Sequence, residues 1–448
     1  MKLMTEGTIW KRILAFSVPL ILGNLLQQMY NTVDSIIVGN YVGSSALAAV
    51  GSSTALTHLL IAFSQGASVG ASVVVSQNLG AENHHGVSRS VHTALAISVL
   101  LGLFLTIAGI CLTPIILVWM QTPKEVMEEA VSYLQIYSGG LLFAVVYNMC
   151  AGILNAEGNS SRSLLYLGAA SVTNIGLDLI LIRGFSMGVE GAAIATDISQ
   201  AVSCLLALRF LARDPSACRF RIKRLRIDRG MAAQIIGIGF PTGVQGMIVS
   251  LSNVLVQSSV NGFGAAAMAG FGAYMKIDGF NILPVTSFGM AITTFIGQNF
   301  GAGKLDRVKK GMKVTLLMGV VYTLITGAFL LLFSRQVVGL FTQDEEVIDY
   351  GVRAMRYFCP FYFLIGIMQI LAGAVRGTGK TIPPMLILIT AQCVFRVLWV
   401  QLVVPHFPSI ETVYLLYPIS WGVGAVLMAL YTKKSQWLTS AGSPPRTA

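Results

Sequence analysis

The sequence predicts an all-α membrane protein, with twelve transmembrane helices arranged as two parallel six-helix repeats. Three observations predict it. Of 448 residues, 54% are hydrophobic and only 11% charged, and the mean hydropathy is +0.72. A water-soluble domain carries about 25% charged residues, so this chain cannot cover a water-facing surface. Apolar runs of about 20 residues, the length that spans a bilayer, recur along the whole chain. Finally, short motifs of the first half return in the second at a constant shift.

The spans are expected at 13–38, 47–76, 90–112, 130–154, 163–183, 190–212, 234–261, 268–297, 311–333, 352–375, 382–403 and 412–432. No soluble domain of useful size is left between them. The first is too long for a signal peptide and no small-residue cleavage site follows it. The expected organisation is a first lobe over 1–212, a basic cytoplasmic linker over 213–233, a second lobe over 234–433 and a cytoplasmic tail over 434–448.

Charge sets the orientation. Of the 30 Lys and Arg, about 23 fall in the even-numbered connections and termini, about 3 in the odd-numbered connections and about 4 within spans. This positive-inside bias places both termini in the cytoplasm. It also accounts for RFRIKRLRIDR (Arg219–Arg229), which otherwise resembles a nucleic-acid patch. No nucleic-acid partner is therefore expected, whereas contact with anionic lipid heads is. The six cysteines (111, 150, 204, 218, 359 and 393) have no metal-ligand or redox spacing, and a disulfide framework is not expected.

The repeat disposes of an apparent nucleotide site. AVRGTGKT (Ala374–Thr381) differs from a phosphate-binding loop only in its first residue. Yet GILNAEGNS (Gly152–Ser160) aligns with GAVRGTGKT (Gly373–Thr381) at a shift of about 221 residues, as do QNLGA (Gln77–Ala81) with QNFGA (Gln298–Ala302) and LAAVG (Leu47–Gly51) with MAGFG (Met268–Gly272). Pro19 meets Pro241 with one residue of slippage. AVRGTGKT is thus one copy of a turn between the fourth and fifth spans of each half, and its partner has no lysine. The strand-to-helix context of a phosphate loop is missing. Gly158 and Gly379 are expected to supply permissive backbone geometry there. GASVG (Gly66–Gly70) matches a nucleophile elbow in letters only, because it lies inside span two. Its glycines and Ser68 suit close helix packing. There is no HExxH and no Cys/His cluster, so no enzyme activity and no cofactor is expected.

A carboxylate within a span costs roughly 2.5 kcal/mol or more, and marks an ion or substrate path more often than packing. Asp34, Asp178 and Asp197 lie in spans one, five and six, all in the outer half of the first lobe. Tyr30 precedes Asp34 by four residues, Asn174 precedes Asp178 by four, and Thr196 adjoins Asp197. Together these groups could hold a sodium ion (at Asp34, Asp178, Asn174 and Thr196) or trap a proton. The second half has Leu255 or Val256 opposite Asp34 and Trp399 opposite Asp178, so the fold forms without the acids. Its own polar span residues are Lys276, Asp278, Gln369, Gln392 and Arg396. Arg396 needs a partner and Asp278 is the candidate. Gln369 and Gln392 suit interhelical hydrogen bonds, and Asp278, Gln369, Gln392 and Arg396, with Asp34 and Asp178, are candidates to line a substrate cavity.

YNTVDSIIVG in span one, the QNxGA turns, NIGLDLI in span five and GVEGAAIAT opening span six together resemble the multidrug and toxic compound extrusion (MATE) family, over about 9–433. The resemblance implies a monomeric inner-membrane antiporter, two lobes in a V, that exports amphipathic, often cationic, compounds against proton or sodium entry. By matching position it implies coupling-ion roles for Asp34, Asp178, Asn174, Tyr30 and Thr196, and a bend in span one at Pro19. Two departures stand out. No acid lies between Gln234 and Asn261, where some branches carry one, and Asp197 stands where an apolar residue is more usual. The rival expectations are a lipid-linked oligosaccharide flippase of the same superfamily, which calls for a cavity rich in Arg and Lys, a non-transporting membrane scaffold or receptor, and an ATP-driven pump.

Overall fold

In lipid every backbone N–H and C=O must be satisfied within the protein, so apolar runs of this length fold as helices. The computed structural model describes residues 3–120, 122–434 and 438. In the first half these form α1 (Ile9–Tyr41), α2 (Ser44–Gly80), α3 (His84–Trp119), α4 (Lys124–Gly139), α5 (Leu141–Ala156), α6 (Ser160–Asp178) and α7 (Gly188–Arg213). The second half has α8 (Arg229–Asn261), α9 (Ala265–Gly301), α10 (Leu305–Leu332), the short α11 (Ser334–Gly339), α12 (Glu345–Phe358), α13 (Tyr362–Gly377), α14 (Ile382–Ile389), α15 (Phe395–Leu402) and α16 (Ile410–Lys433). Among the described residues, eleven helical stretches are long and apolar enough to cross a membrane, and the bent pair α4–α5, taken as one span, makes twelve. The expected tail over 434–448 lies, except for Lys434 and Leu438, outside the described residues.

The helices outrun the apolar cores from which they were placed. α2 and α9 have 37 residues each, about 55 Å of helix at 1.5 Å per residue, against a hydrocarbon core of about 30 Å. Two crossings are also broken where periodicity showed no interruption. The fourth bends by 47° between α4 and α5 at Gly139–Gly140. The tenth passes from α12 to α13 through a 3₁₀ turn at Cys359–Phe361 that contains Pro360. Both breaks fall at one repeat position.

Backbone conformation carries the same duplication. Positive φ occurs at Gly43 and Gly264, at Glu82 and Gly303, and at Gly158 (79°) and Gly379 (88°), each pair separated by 221 residues. The turns expected to need a permissive backbone at Gly158 and Gly379 do need one.

Helix faces follow the rule of a lipid solvent. On α3, Leu100, Leu103, Phe104, Ile107 and Ile110 are exposed, while Ser90, Ala94, Ser98, Gly102, Gly109 and Thr113 are buried. Small residues turned inward allow close packing, and large apolar ones meet lipid. GASVG behaves in this way. A Cβ on Gly70 would lie 2.3 Å from the Ile235 carbonyl oxygen of α8, and one on Gly66 would lie 2.6 Å from that of Gly239. Ser68 donates to the Asn148 carbonyl of α5 at 2.6 Å.

The chain falls into two compact units. One holds Val18–Val244, the other Met4–Ser17 and the chain from Gln245 onward. The change of unit falls within α1 and within α8, each beside an internal proline, Pro19 and Pro241.

Candidate functional site

In the first unit, α1 carries Tyr30 and Asp34 one turn apart, both only 9% exposed. α6 carries Asn174 and Asp178, both fully buried. Asp178 is the last residue of α6, and a π-helical stretch, Leu179–Gly184, follows it. Such wider turns re-aim side chains and recur at functional sites. The end of α1, the end of the π-helical stretch and the start of α7 lie six to nine residues from the acids, so Asp34, Asp178 and Asp197 sit roughly 9–14 Å in from one end of their helices.

Asp34 and Asp178 meet as direct side-chain partners. Beside them Asn174 donates through Nδ2 to the Thr196 hydroxyl of α7 at 3.4 Å. The Tyr30 side chain bonds to Gln27 and lies close to Asp34. What sets the pair apart is its missing donors. Oδ1 of Asp34, both carboxylate oxygens of Asp178 and Oδ1 of Asn174 are buried and have no hydrogen-bond donor. Two adjacent carboxylates cannot satisfy one another while both are ionised. A shared proton or a small cation ligated by these oxygens satisfies all of them at once. The donor set suits a hard monovalent cation as well as a proton. Among the described residues, no group of three or more His, Cys, Asp and Glu could hold a metal ion.

Asp197 is turned elsewhere, toward the break between α4 and α5. A Cβ on Gly140 would lie 2.0 Å from its Oδ1 and 2.2 Å from its Cγ, and its carboxylate accepts from the Gly140 backbone. The Gly140 N–H also donates to the Tyr137 carbonyl at 3.2 Å, so Asp197 shares a donor at the break.

Two residues of the site escaped the sequence. Tyr133 and Tyr137 on α4 stack at 6.2 Å and 19°. Tyr133 lies close to both Asp34 and Asp197, and Tyr137 to Tyr30 and Asp197. Their i, i+4 spacing in EEAVSYLQIYSGG, just ahead of a Gly-Gly break, was the available signal.

The second unit disposes of its polar groups internally. The expected pairing of Arg396 with Asp278 is not formed. Arg396 is 3% exposed. Its Nε donates to the Ser420 hydroxyl at 3.1 Å, one Nη donates to Asn253 Oδ1 at 2.8 Å, and its plane lies 4.5 Å from the Tyr417 ring. Asp278 instead accepts from Tyr362 at 2.8 Å and Tyr274 at 3.3 Å. The reason is local. Arg396 follows a second π-helical stretch, Thr390–Val394, and it meets α8 and α16. In that stretch the Gln392 backbone carbonyl accepts from the Ser252 hydroxyl of α8, and its side-chain amide donates to the Met368 sulfur of α13 at 3.3 Å, an interhelical contact of the kind expected of it. Gln369 is half-buried on α13, and Lys276 lies over Phe341 at 5.9 Å. Trp399, opposite Asp178 in the repeat, donates to the Thr412 carbonyl at 2.9 Å. Pro19 lies inside α1, which runs as one helix from Ile9 to Tyr41.

The MatE family model matches residues 19–180 and 241–400, once in each half. Among named relatives, the probable multidrug resistance protein YoeA of Bacillus subtilis is 30% identical over 95% of this chain and 94% of its own length. YpnP of the same organism is 28% identical over 88% of each chain. The probable multidrug resistance protein NorM of Thermotoga maritima is 25% identical over 84% of this chain and 82% of its own. Among solved structures, a MOP superfamily transporter from Pyrococcus furiosus matches with a TM-score of 0.91 at 24% identity, over 98% of both chains. A MATE protein in a bent conformation and one in a straight conformation each match at 0.91 as well. With two matched segments, twelve crossings and a relative alignable over nearly its whole length, this multi-pass membrane protein belongs to the MatE family.

Proposed function

We propose that the chain is a secondary active antiporter of the inner membrane, with both termini cytoplasmic, that exports amphipathic cationic compounds in exchange for proton or sodium. The observation that carries the proposal is the buried Asp34–Asp178 pair, whose three donorless oxygens need a cation to be satisfied. Its named relatives are multidrug resistance proteins, which supports drug efflux. The stacked Tyr133 and Tyr137, with Tyr30 near by, offer ring faces beside negative charge. An organic cation is attracted to such faces by about 0.5–2 kcal/mol.

Coupling follows from the arithmetic of two states. An ion shifts the equilibrium between inward- and outward-open forms only by its differential affinity for them. Neutralising the pair removes the charge that favours an organic cation in the same neighbourhood, so ion entry and drug release exclude one another. Alternating access is then a rocking of the two halves. Arg396, Gln392 and Asp278, candidates for a substrate cavity, are already engaged by neighbouring side chains and have no such role in this scheme.

Asp34→Asn tests the proposal. An amide in place of the carboxylate gives Asp178 a donor, and a hydrogen bond to a charged group is worth about 1.5–3 kcal/mol. The affinity of Asp178 for its cation should fall by about ten- to a hundredfold. Dye efflux from proteoliposomes, with sodium and proton gradients imposed separately, should collapse in the variant while its yield in membranes stays at the wild-type level. The gradient that drives the wild type identifies the ion. Undiminished efflux by Asp34→Asn would overturn the proposal.

A further inference from the structure

The second unit repeats the layout of the acid site with its sign reversed. Crossings one, five and six supply Asp34, Asp178 with Asn174, and Thr196. Their repeat mates are crossings seven, eleven and twelve, and these meet at Arg396. Asn253 comes from α8, Arg396 from α15, and Tyr417 and Ser420 from α16. At the shift of about 221 residues, Tyr417 stands at the position of Thr196, Arg396 one residue beyond that of Asn174, and Asn253 two residues before that of Asp34. Asn253, Arg396 and Ser420 lie six to ten residues from the ends of α8 and α15 and the start of α16, roughly 9–15 Å of helix, a depth like that of the acids. Crossings five and eleven each contain a π-helical stretch, Leu179–Gly184 and Thr390–Val394.

What is left over differs in kind between the two clusters. Around Asp34 and Asp178 the unmatched groups are acceptors. Around Arg396 they are donors. A guanidinium has five N–H groups. One goes to the Ser420 hydroxyl and one to Asn253 Oδ1, and among the described residues the other three have no protein acceptor. The Asn253 amide nitrogen, turned away by the arginine at its oxygen, is a free donor too. Ser420 spends its own proton on the Tyr417 carbonyl at 2.8 Å. Charge is left over as well. Arg396 is almost fully buried, and among the described residues it is in no ion pair. A ring face and two neutral oxygens relieve part of a buried positive charge, but none of them carries a negative one. Water could accept from the three N–H groups without cancelling the charge.

We propose that Arg396 and Asn253 hold a small monovalent anion, a halide ion or a carboxylate group, inside the second unit. One buried cation calls for one negative charge, and a donor set with no acceptor left open admits an anion and repels a cation. The chain does not supply that charge itself, because Asp278 is committed to Tyr362 and Tyr274. A bound anion neutralises Arg396 and ties crossing seven to crossing eleven, so it stabilises the folded chain by mass action. The cluster contains neither Asp34 nor Asp178, and the anion site stands or falls apart from the coupling role proposed for them.

The test is the thermal midpoint of the purified full chain in detergent, at fixed pH, cation and ionic strength. Gluconate, whose polyol chain a buried site excludes, is replaced stepwise by chloride, bromide or acetate. The wild-type midpoint should rise by a few degrees and level off as the site fills. The anion that acts at the lowest concentration tells a halide occupant from a carboxylate. Arg396→Met should abolish the rise. Asn253→Asp places a fixed carboxylate beside the guanidinium, so its midpoint in gluconate should stand at or above that of the wild type, and the response to chloride, bromide and acetate should disappear. A wild type that responds to none of the three, or a response of equal size in Asn253→Asp, would overturn the anion site, the second outcome being a general salt effect. Should Arg396→Met fail to fold, the wild type and Asn253→Asp still decide the question.

Discussion

Gly140→Ala separates two roles for Asp197, one as a support of the α4–α5 break and one as a ligand of the coupling ion. The added methyl would lie 2.0 Å from Asp197 Oδ1, 2.2 Å from Cγ and 2.8 Å from Cβ. Ordinary contact is about 3.5–4.0 Å, so the overlap exceeds about 1 Å with two atoms and is about 0.7–1.2 Å with the third. Gly140 is buried, and the break can yield only by bending further or by expelling the carboxylate. Overpacking of this kind costs about 1–3 kcal/mol. Expulsion also removes the acceptor from the Gly140 backbone, worth about another 1 kcal/mol. The expected loss is thus about 2–4 kcal/mol, read as a lower thermal midpoint of the purified protein. Asp197→Ala alone opens space and loses the acceptor, about 1–2 kcal/mol. In the double variant the methyl occupies that space, so the losses should fall short of additivity by at least about 1 kcal/mol. Efflux by Asp197→Ala should persist at a reduced rate. A Gly140→Ala midpoint equal to the wild type, or strictly additive losses in the double variant, would refute the supporting role. Abolished efflux with an unchanged midpoint in Asp197→Ala would instead make Asp197 part of the ion site.

Two further outcomes can be checked with the same protein. Arg89 binds Asp228 at the start of α8, and that hydrogen bond, with the Met231 backbone N–H, holds the Asp228 carboxyl below its ordinary 3.8. A depressed acid contributes its full stability above its ordinary value and loses it as pH falls from there through the depressed one. With Arg89 38% exposed, Arg89→Ala should cost no more than about 1 kcal/mol at pH 7. The difference in thermal midpoint should begin to shrink as pH falls below about 4, be lost once pH has passed below the depressed value, and fall away in high salt; one that survives high salt would exclude the ion pair as its source. Gly70→Ala should lower the yield of monodisperse protein and its midpoint, because the methyl would stand 2.3 Å from the Ile235 carbonyl and overpacking costs about 1–3 kcal/mol. An unchanged midpoint would mean that α2 and α8 can separate freely.

Much of this molecule was legible in the chain. Crossing number, helix locations, the duplicated unit and the identity of the acids all came from composition and spacing. Lipid forces the first two, since an apolar run of this length has no other way to satisfy its backbone. The duplication was legible because turn glycines keep their place when side chains diverge. Gly158 and Gly379 carry positive φ although ILNAEGNS and AVRGTGKT share little else. The broken fourth and tenth crossings were not legible, because a break between helical stretches leaves the apolar pattern intact on both sides.

What the sequence by itself determined is therefore the solvent, the element type and the fact that each polar group within a span must find a partner. Only the tertiary structure decided which partner. Asp34 met Asp178, Asp197 met the Gly140 backbone, Asp278 met two tyrosines and Arg396 met Asn253, Ser420 and Tyr417. The penalty for an unsatisfied group in lipid depends on burial alone and is blind to who relieves it. The relief comes from other helices, often more than a hundred residues away in the chain, whose rotation and depth are settled by packing.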